Sequence, residues 1–279
     1  MRAELVRRML GRQHIEKFGV LGYSSIQSRL VSLADLGIEL SGEDFLRLKP
    51  EERPPSFQEA RRHGFIVVDP PHTEADFQPN GMVGNVSLDL ELGDTLKIAP
   101  LPGTDGYSDL PTDLVIDLND KDSMRRAEGY LQTYHIDAGK RYVLRPGTFA
   151  LAYTMRRYWL PCDLMGYVHG RSKTGRMGIT VTRDAPKIDP GFCGRIVLEL
   201  KHGGPFPLEL KMGLKIGQME FFTVEGEICA PYDELREDVV ERQEYMHYAL
   251  APRVQMRELP KVVKRGLESL LYEVVEEEL

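Results

Sequence analysis

Two neighbouring stretches decide how this chain is read: Gly170-Arg171-Ser172-Lys173-Thr174-Gly175-Arg176-Met177-Gly178-Ile179, and Ala185-Pro186-Lys187-Ile188-Asp189-Pro190-Gly191-Phe192-Cys193-Gly194-Arg195-Ile196-Val197-Leu198-Glu199-Leu200. The first is a small turn bearing Arg, Ser and Lys. Within the second, Asp189-Pro190-Gly191-Phe192 predicts a type II turn, with proline at its second position and glycine where a positive φ is required. From Arg195 the pattern alternates and predicts a strand. Ile196, Leu198 and Leu200 share one face, with Val197, Glu199 and Lys201 on the other. A carboxylate beside Val197 on so apolar a strand is either an ion-pair partner, with Arg171 or Arg176 nearest at hand, or a group held for proton transfer.

Outward from this centre the texture is that of short strands. Val86, Leu88, Leu90 and Leu92 alternate with Ser87, Asp89 and Glu91 up to Gly93-Asp94, which predicts a half-buried strand closed by a turn. Further strands are expected at 113–118, at 142–144 and 149–153 across Arg145-Pro146-Gly147, then at 159–161, 164–168, 207–210, 215–218 and 219–222. A short helix is expected over 123–132. Close spacing with Gly/Pro turns predicts a mainly β chain, a barrel or sandwich rather than a parallel α/β sheet. Ser24-Ser25-Ile26-Gln27 fits a capping box opening a helix. Residues 40–80, with Pro50, Pro54, Pro55, Pro70 and Pro71, read as an irregular excursion holding one short helix over 57–63. Residues 1–17 read as a basic helix, a partner-binding arm or simply a surface helix. Pro260 opens a last amphipathic helix through Val263, Leu267, Leu270, Leu271 and Val274. The division expected is 1–240 for the β domain and 241–279 for a helical extension.

Composition excludes several classes. At 279 residues, 42% hydrophobic and 28% charged, the chain is an ordinary soluble globular one. A net charge of -7 disfavours tracking a nucleic-acid backbone, though a local Arg/Lys cluster can hold one nucleotide's phosphates. Cys162, Cys193 and Cys229 make no disulfide framework, which points to a reducing cytoplasm. No secretory leader and no apolar run of membrane-spanning length is evident, so no membrane partner is expected. The chain lacks a Cys-x-x-Cys or His-x-x-x-His pair, so zinc is not expected. A Walker phosphate loop and a Gly-x-Ser-x-Gly elbow are also missing.

Taken together, Gly-Arg-Ser-x-x-x-Arg-x-Gly and Ala-x-x-Ile-Asp-Pro-Gly-Phe-x-Gly-x-Ile-x-Leu-Glu resemble the dCTP deaminases of the dUTPase-related superfamily. Val86 to Gly93 looks like that family's Ser-x-Asp-x-x-Leu-Gly element. Gly213 to Phe221 looks like its Gly-x-x-Ile-Gly-Gln segment, and Ala230-Pro231-Tyr232 like its Pro-Tyr. Gly19-Val20-Leu21 through Ile26 looks like its opening strand and helix. The resemblance implies a distorted β-barrel of the dUTPase-like, β-clip kind, to which the residue pattern adds short peripheral helices and helical N- and C-terminal extensions. It implies a homotrimer or hexamer with sites between subunits, turning dCTP into dUTP and ammonia. Mg2+ is expected only through the substrate's triphosphate.

Residue by residue, the likeness makes Glu199 the proton shuttle, with Ser172 and the Ala185 carbonyl holding water and Arg176 positioning the glutamate or stabilising charge. Arg171, Lys173, Lys187, Ile188, Asp189, Gln218 and Tyr232 would bind the nucleotide, Asp189 at the deoxyribose 3′-hydroxyl. Plain dUTPases carry an apolar residue at the Glu199 position. Having both Asp189 and Glu199 is compatible with deamination alone or with a bifunctional product, dUMP. A barrel that binds a deoxynucleotide without turnover is the non-enzymatic alternative. Lys173, Asp184 and Pro186 depart from the family pattern, and its Lys-Tyr-x-x-Gln region is not evident after Tyr232, where Arg236, Arg242 and Gln243 are the nearest substitutes.

Overall fold

The computed structural model describes residues 19–100, 110–111, 114–228 and 231–232. The helices expected over 1–17 and after Pro260, and the boundary at 240, lie outside them. In chain order come α1 (Tyr23–Arg29), β1 (Leu30–Ser32), α2 (Gly42–Arg47), α3 (Pro55–Arg62), β2 (Ile66–Asp69) and β3 (Leu88–Ile98). Next are α4 (Lys121–Gly129), β4 (Gln132–His135), β5 (Tyr142–Leu144), β6 (Phe149–Trp159) and β7 (Leu164–Gly170). Then follow α5 (Ser172–Arg176), β8 (Ile179–Thr180), β9 (Lys187–Ile188), β10 (Cys193–His202), β11 (Leu208–Leu210) and β12 (Lys215–Thr223).

The protein is mainly β, as its alternating stretches predict. Ten strands form one sheet whose path runs β1-β2-β6-β3-β12-β7-β9, while β10 pairs with β6 and β8, and β4 with β3. Among the described residues the two ends of this path do not meet, so strand pairing does not close the expected barrel. What bends the sheet instead is β3. Its first residues pair with β12, and Leu92 to Ile98 pair with β6 across a register shift. Gly93 sits at that corner, where a Cβ would lie 2.8 Å from the Tyr153 carbonyl oxygen. Gly93-Asp94 is therefore a bend within one continuous strand and not the turn that the sequence suggests.

Several local expectations change for similar reasons. The helix α1 is capped by the extended backbone of Gly22 with no side-chain bond, so the Ser24 capping box does not form. Residues 114–118 are not a strand, and Val115 and Leu118 are exposed. The supposed excursion at 40–80 holds a second core. Phe45, Phe57 and Trp159 are fully buried, with ring centroids 4.8 Å apart for Phe45–Phe57 and 5.6 Å for Phe45–Trp159, both edge to face. This cluster covers the parallel pair β1–β2, a pairing that local alternation cannot reveal. Ser41 caps α2 by accepting the Asp44 N–H at 3.1 Å. Replacing Ser41 with alanine is expected to cost about 1 kcal/mol, read as a lower urea midpoint at unchanged slope.

Candidate active site

Strand β10 has the predicted faces: Ile196, Leu198 and Leu200 are buried, and Val197, Glu199 and Lys201 are half-buried on the other side. Glu199 lies opposite Leu151 of β6. Its Oε2 accepts the backbone N–H of Arg183 at 3.1 Å, so the loop between β8 and β9 holds the carboxylate. Among the described residues Glu199 makes no ion pair with Arg171 or Arg176. The hold of Arg183 on Glu199 is not legible in the sequence, because its contribution is a backbone group, which no side-chain pattern reports.

Arg171 follows β7 and starts α5. Its carbonyl accepts the Gly175 N–H at 2.8 Å and the Thr174 hydroxyl at 3.0 Å, and that hydroxyl also lies 3.2 Å from the Ile216 carbonyl. Arg171 Nε is 3.2 Å from Asp89, whose other oxygen is 3.4 Å from Lys215 Nζ. Burial, opposed by the Arg171 and Lys215 charges, pushes the Asp89 carboxyl up from its ordinary value. Asp89 thus fixes the guanidinium from beneath, a role hidden in sequence by the long separation of β3 from α5. The exposed side chains of Ser172, Lys173 and Arg176 make no hydrogen bond or ion pair among the described residues.

The predicted turn at Asp189 forms. Phe192 N–H donates to the Asp189 carbonyl at 3.1 Å, and Gly191 has φ +80°. Gly191 is needed twice over, because a Cβ there would also come 2.6 Å from the Tyr232 nitrogen. Tyr232 N–H donates to the Pro190 carbonyl at 3.0 Å, with its ring 5.4 Å from that of Phe192. Lys187 pairs with Asp189 at 2.9 Å, leaving Asp184 without an ion pair among the described residues. Ala185 is exposed, and Gln218 lies between Asp89 and His169 on the β12 surface. His169 itself sits 3.4 Å from Glu220, a sheet histidine as expected.

Pairing along β7 separates two parts of the predicted set. Ile188 lies opposite Gly166, so Asp189 stands near the start of β7 whereas Arg171 and Ser172 follow its end. The interval is about 20 Å at roughly 3.3 Å per residue. Within one copy of the chain these two groups therefore stand toward opposite ends of β7.

A family model described as dCTP deaminase-like matches residues 55–224, from α3 to the end of β12. The chain belongs to the dCTP deaminase-like family. A dCTP deaminase from Pseudoalteromonas translucida is 36% identical over 172 residues, 61% of this chain and 81% of that relative. A dUMP-forming dCTP deaminase from Methanosphaera stadtmanae is 36% identical over 172 residues, 61% of this chain and 77% of that protein. A crystal structure of 2′-deoxycytidine 5′-triphosphate deaminase from Agrobacterium tumefaciens superposes with TM-score 0.45 and 19% identity, over 82% of this chain and 53% of that one. Membership makes this dCTP deaminase-like chain an enzyme, a hydrolase of C–N bonds. The match opens at α3, so the likeness read at Gly19 to Ile26 lies ahead of it, and Pro231-Tyr232 lies beyond it.

Proposed function

We propose that this chain hydrolyses dCTP to dUTP and ammonia, with Glu199 carrying protons. The observation that carries the reading is the half-buried Glu199 carboxylate held by the Arg183 N–H, on a strand that follows the Arg171–Arg176 segment in a dCTP deaminase-like chain. Water held by the Ser172 hydroxyl and the Ala185 carbonyl gives a proton to Glu199 as its oxygen bonds to C4 of the cytosine. Glu199 passes that proton to N3. A second proton from the added hydroxyl reaches the amino group through the same carboxylate, the C4–N bond breaks and ammonia leaves. Arg176 stabilises charge on the carboxylate and water. Arg171, anchored by Asp89, and Lys173 bind phosphate by charge-assisted bonds, and Asp189 accepts from the 3′-hydroxyl. Ile188, Lys187, Gln218 and Tyr232 complete the nucleotide's surroundings.

Mg2+ enters with the triphosphate, whose charge it lowers. Among the described residues no group of three or more His, Cys, Asp or Glu could hold a metal on its own. The separation along β7 supports sites shared between copies, one giving the α5 turn and its neighbour Asp189 and Glu199, in a homotrimer or hexamer. Mixing inactive Ser172→Ala and Glu199→Gln chains and letting them reassemble should restore deamination; no recovery would place each site within one chain.

Incubation with dCTP and Mg2+ tests the activity. Release of dUTP and ammonia is expected, and unchanged dCTP would overturn the reading. The product dUMP with pyrophosphate would instead establish the bifunctional reading, with which the presence of both Asp189 and Glu199 is compatible and which two relatives carry in their names. Substituting Asp89 with asparagine should free Arg171 and raise KM for dCTP about tenfold, roughly 1.4 kcal/mol, with kcat little changed in steady-state assays.

A further inference from the structure

Lys215 opens β12 and, by position alone, would pass for a solvated lysine at a strand end. Its ammonium is instead seated in a cradle. Nζ donates to the Gly81 carbonyl at 2.6 Å and to the Asn80 carbonyl at 3.0 Å, and it lies 3.4 Å from Asp89 Oδ2. The loop ahead of β3 is bent to present those two carbonyls. Asn80 has φ +68°, the one left-handed non-glycine among the described residues, and asparagine tolerates that region better than most side chains. Gly81 N–H closes the turn on the Gln78 carbonyl at 2.8 Å, and a Cβ on Gly81 would lie 2.3 Å from the Asp76 carbonyl oxygen.

What the cradle controls is Asp89. Arg171 Nε approaches one Asp89 oxygen at 3.2 Å, and the Lys215 ammonium stands at the other. Arg171 Nη1 also reaches the Lys215 carbonyl, at 3.5 Å. A carboxylate with both oxygens open tends to take an arginine as a two-pronged, bidentate pair. With Oδ2 engaged by Lys215, Arg171 is tied through Nε, and the outer edge of its guanidinium is left to meet a phosphate. Exposure agrees: the Arg171 side chain is 32% exposed, that of Asp89 12%. One negative charge between two cations also leaves the group one net positive charge.

We propose that Lys215 is a positioning residue for the nucleotide's phosphates, holding Asp89 Oδ2 and so keeping Arg171 aimed outward. The proposal rests on the reading that Arg171 grips phosphate. Calorimetric titration of dCTP with Mg2+ into the full-length Glu199→Gln chain, in which the ligand is expected to persist, tests it. Lys215→Met keeps the apolar stem and removes the ammonium. It should weaken dCTP about tenfold with the number of sites per chain unchanged. A merely damaged fold would lower the number of sites at the same Kd. Asp89→Asn should weaken dCTP by a similar factor, and so should the double variant, because both act through one contact. Independent effects would multiply to about a hundredfold. An unchanged Kd for Lys215→Met, a fall in site number alone, or multiplied losses in the double variant would overturn the role of Lys215 while leaving the nucleotide reading in place. A Glu199→Gln chain that binds no dCTP would overturn the nucleotide reading, and this role with it.

Discussion

Replacing Glu199 with glutamine is expected to lower kcat for deamination roughly a hundred- to ten-thousand-fold, the share usually carried by a positioned acid–base group. The amide has the shape of the carboxylate, and its oxygen can still accept the Arg183 N–H that holds Glu199 at 3.1 Å. It cannot take a proton from water and return one to the departing amine. Binding of dCTP should therefore persist while ammonia release collapses. Equilibrium binding beside an ammonia assay separates the two effects. A glutamine variant that turns over normally would reduce Glu199 to a structural anchor for the β8–β9 loop, and the proton shuttle would have to be sought elsewhere.

The second large effect concerns the turn that returns the chain from α5 to the sheet. Gly178 has φ +88°, and its carbonyl accepts the Gly203 N–H at 2.8 Å. A Cβ at Gly178 would overlap the backbone of Gly204, which has no side chain to swing away. Gly178→Ala should cost about 2–5 kcal/mol, combining a left-handed backbone for an L residue with a clash in a packed contact. Chemical denaturation measures it. Gly175 is the control: it lies in α5, a Cβ there meets nothing within 4 Å, and alanine should be neutral or stabilise by up to about 1 kcal/mol. Equal losses for the two variants would mean that the Gly178–Gly204 contact has no special importance.

Legibility followed the range of the interactions. The faces of β10, the turn at Asp189 and the helix near Phe57 were readable because each depends on a few consecutive residues. Gly93 was misread as a strand end because a bend and a turn use the same residue, and only the nearby Tyr153 carbonyl distinguishes them. The second core around Trp159 was hidden in a proline-rich stretch, since its partners come from α2, α3 and β6.

On its own, the order of amino acids determined the mainly β character, the turn chemistry and the row of residues by which the family is recognised. It could do so because side-chain alternation and glycine or proline backbone limits act within a handful of positions. Only the tertiary structure decided that Asp89 holds Arg171, that Arg183 holds Glu199, and that Asp189 and Ser172 stand at opposite ends of β7. Those facts follow from which strands pair and in what register, and register is chosen by the packing of the whole sheet.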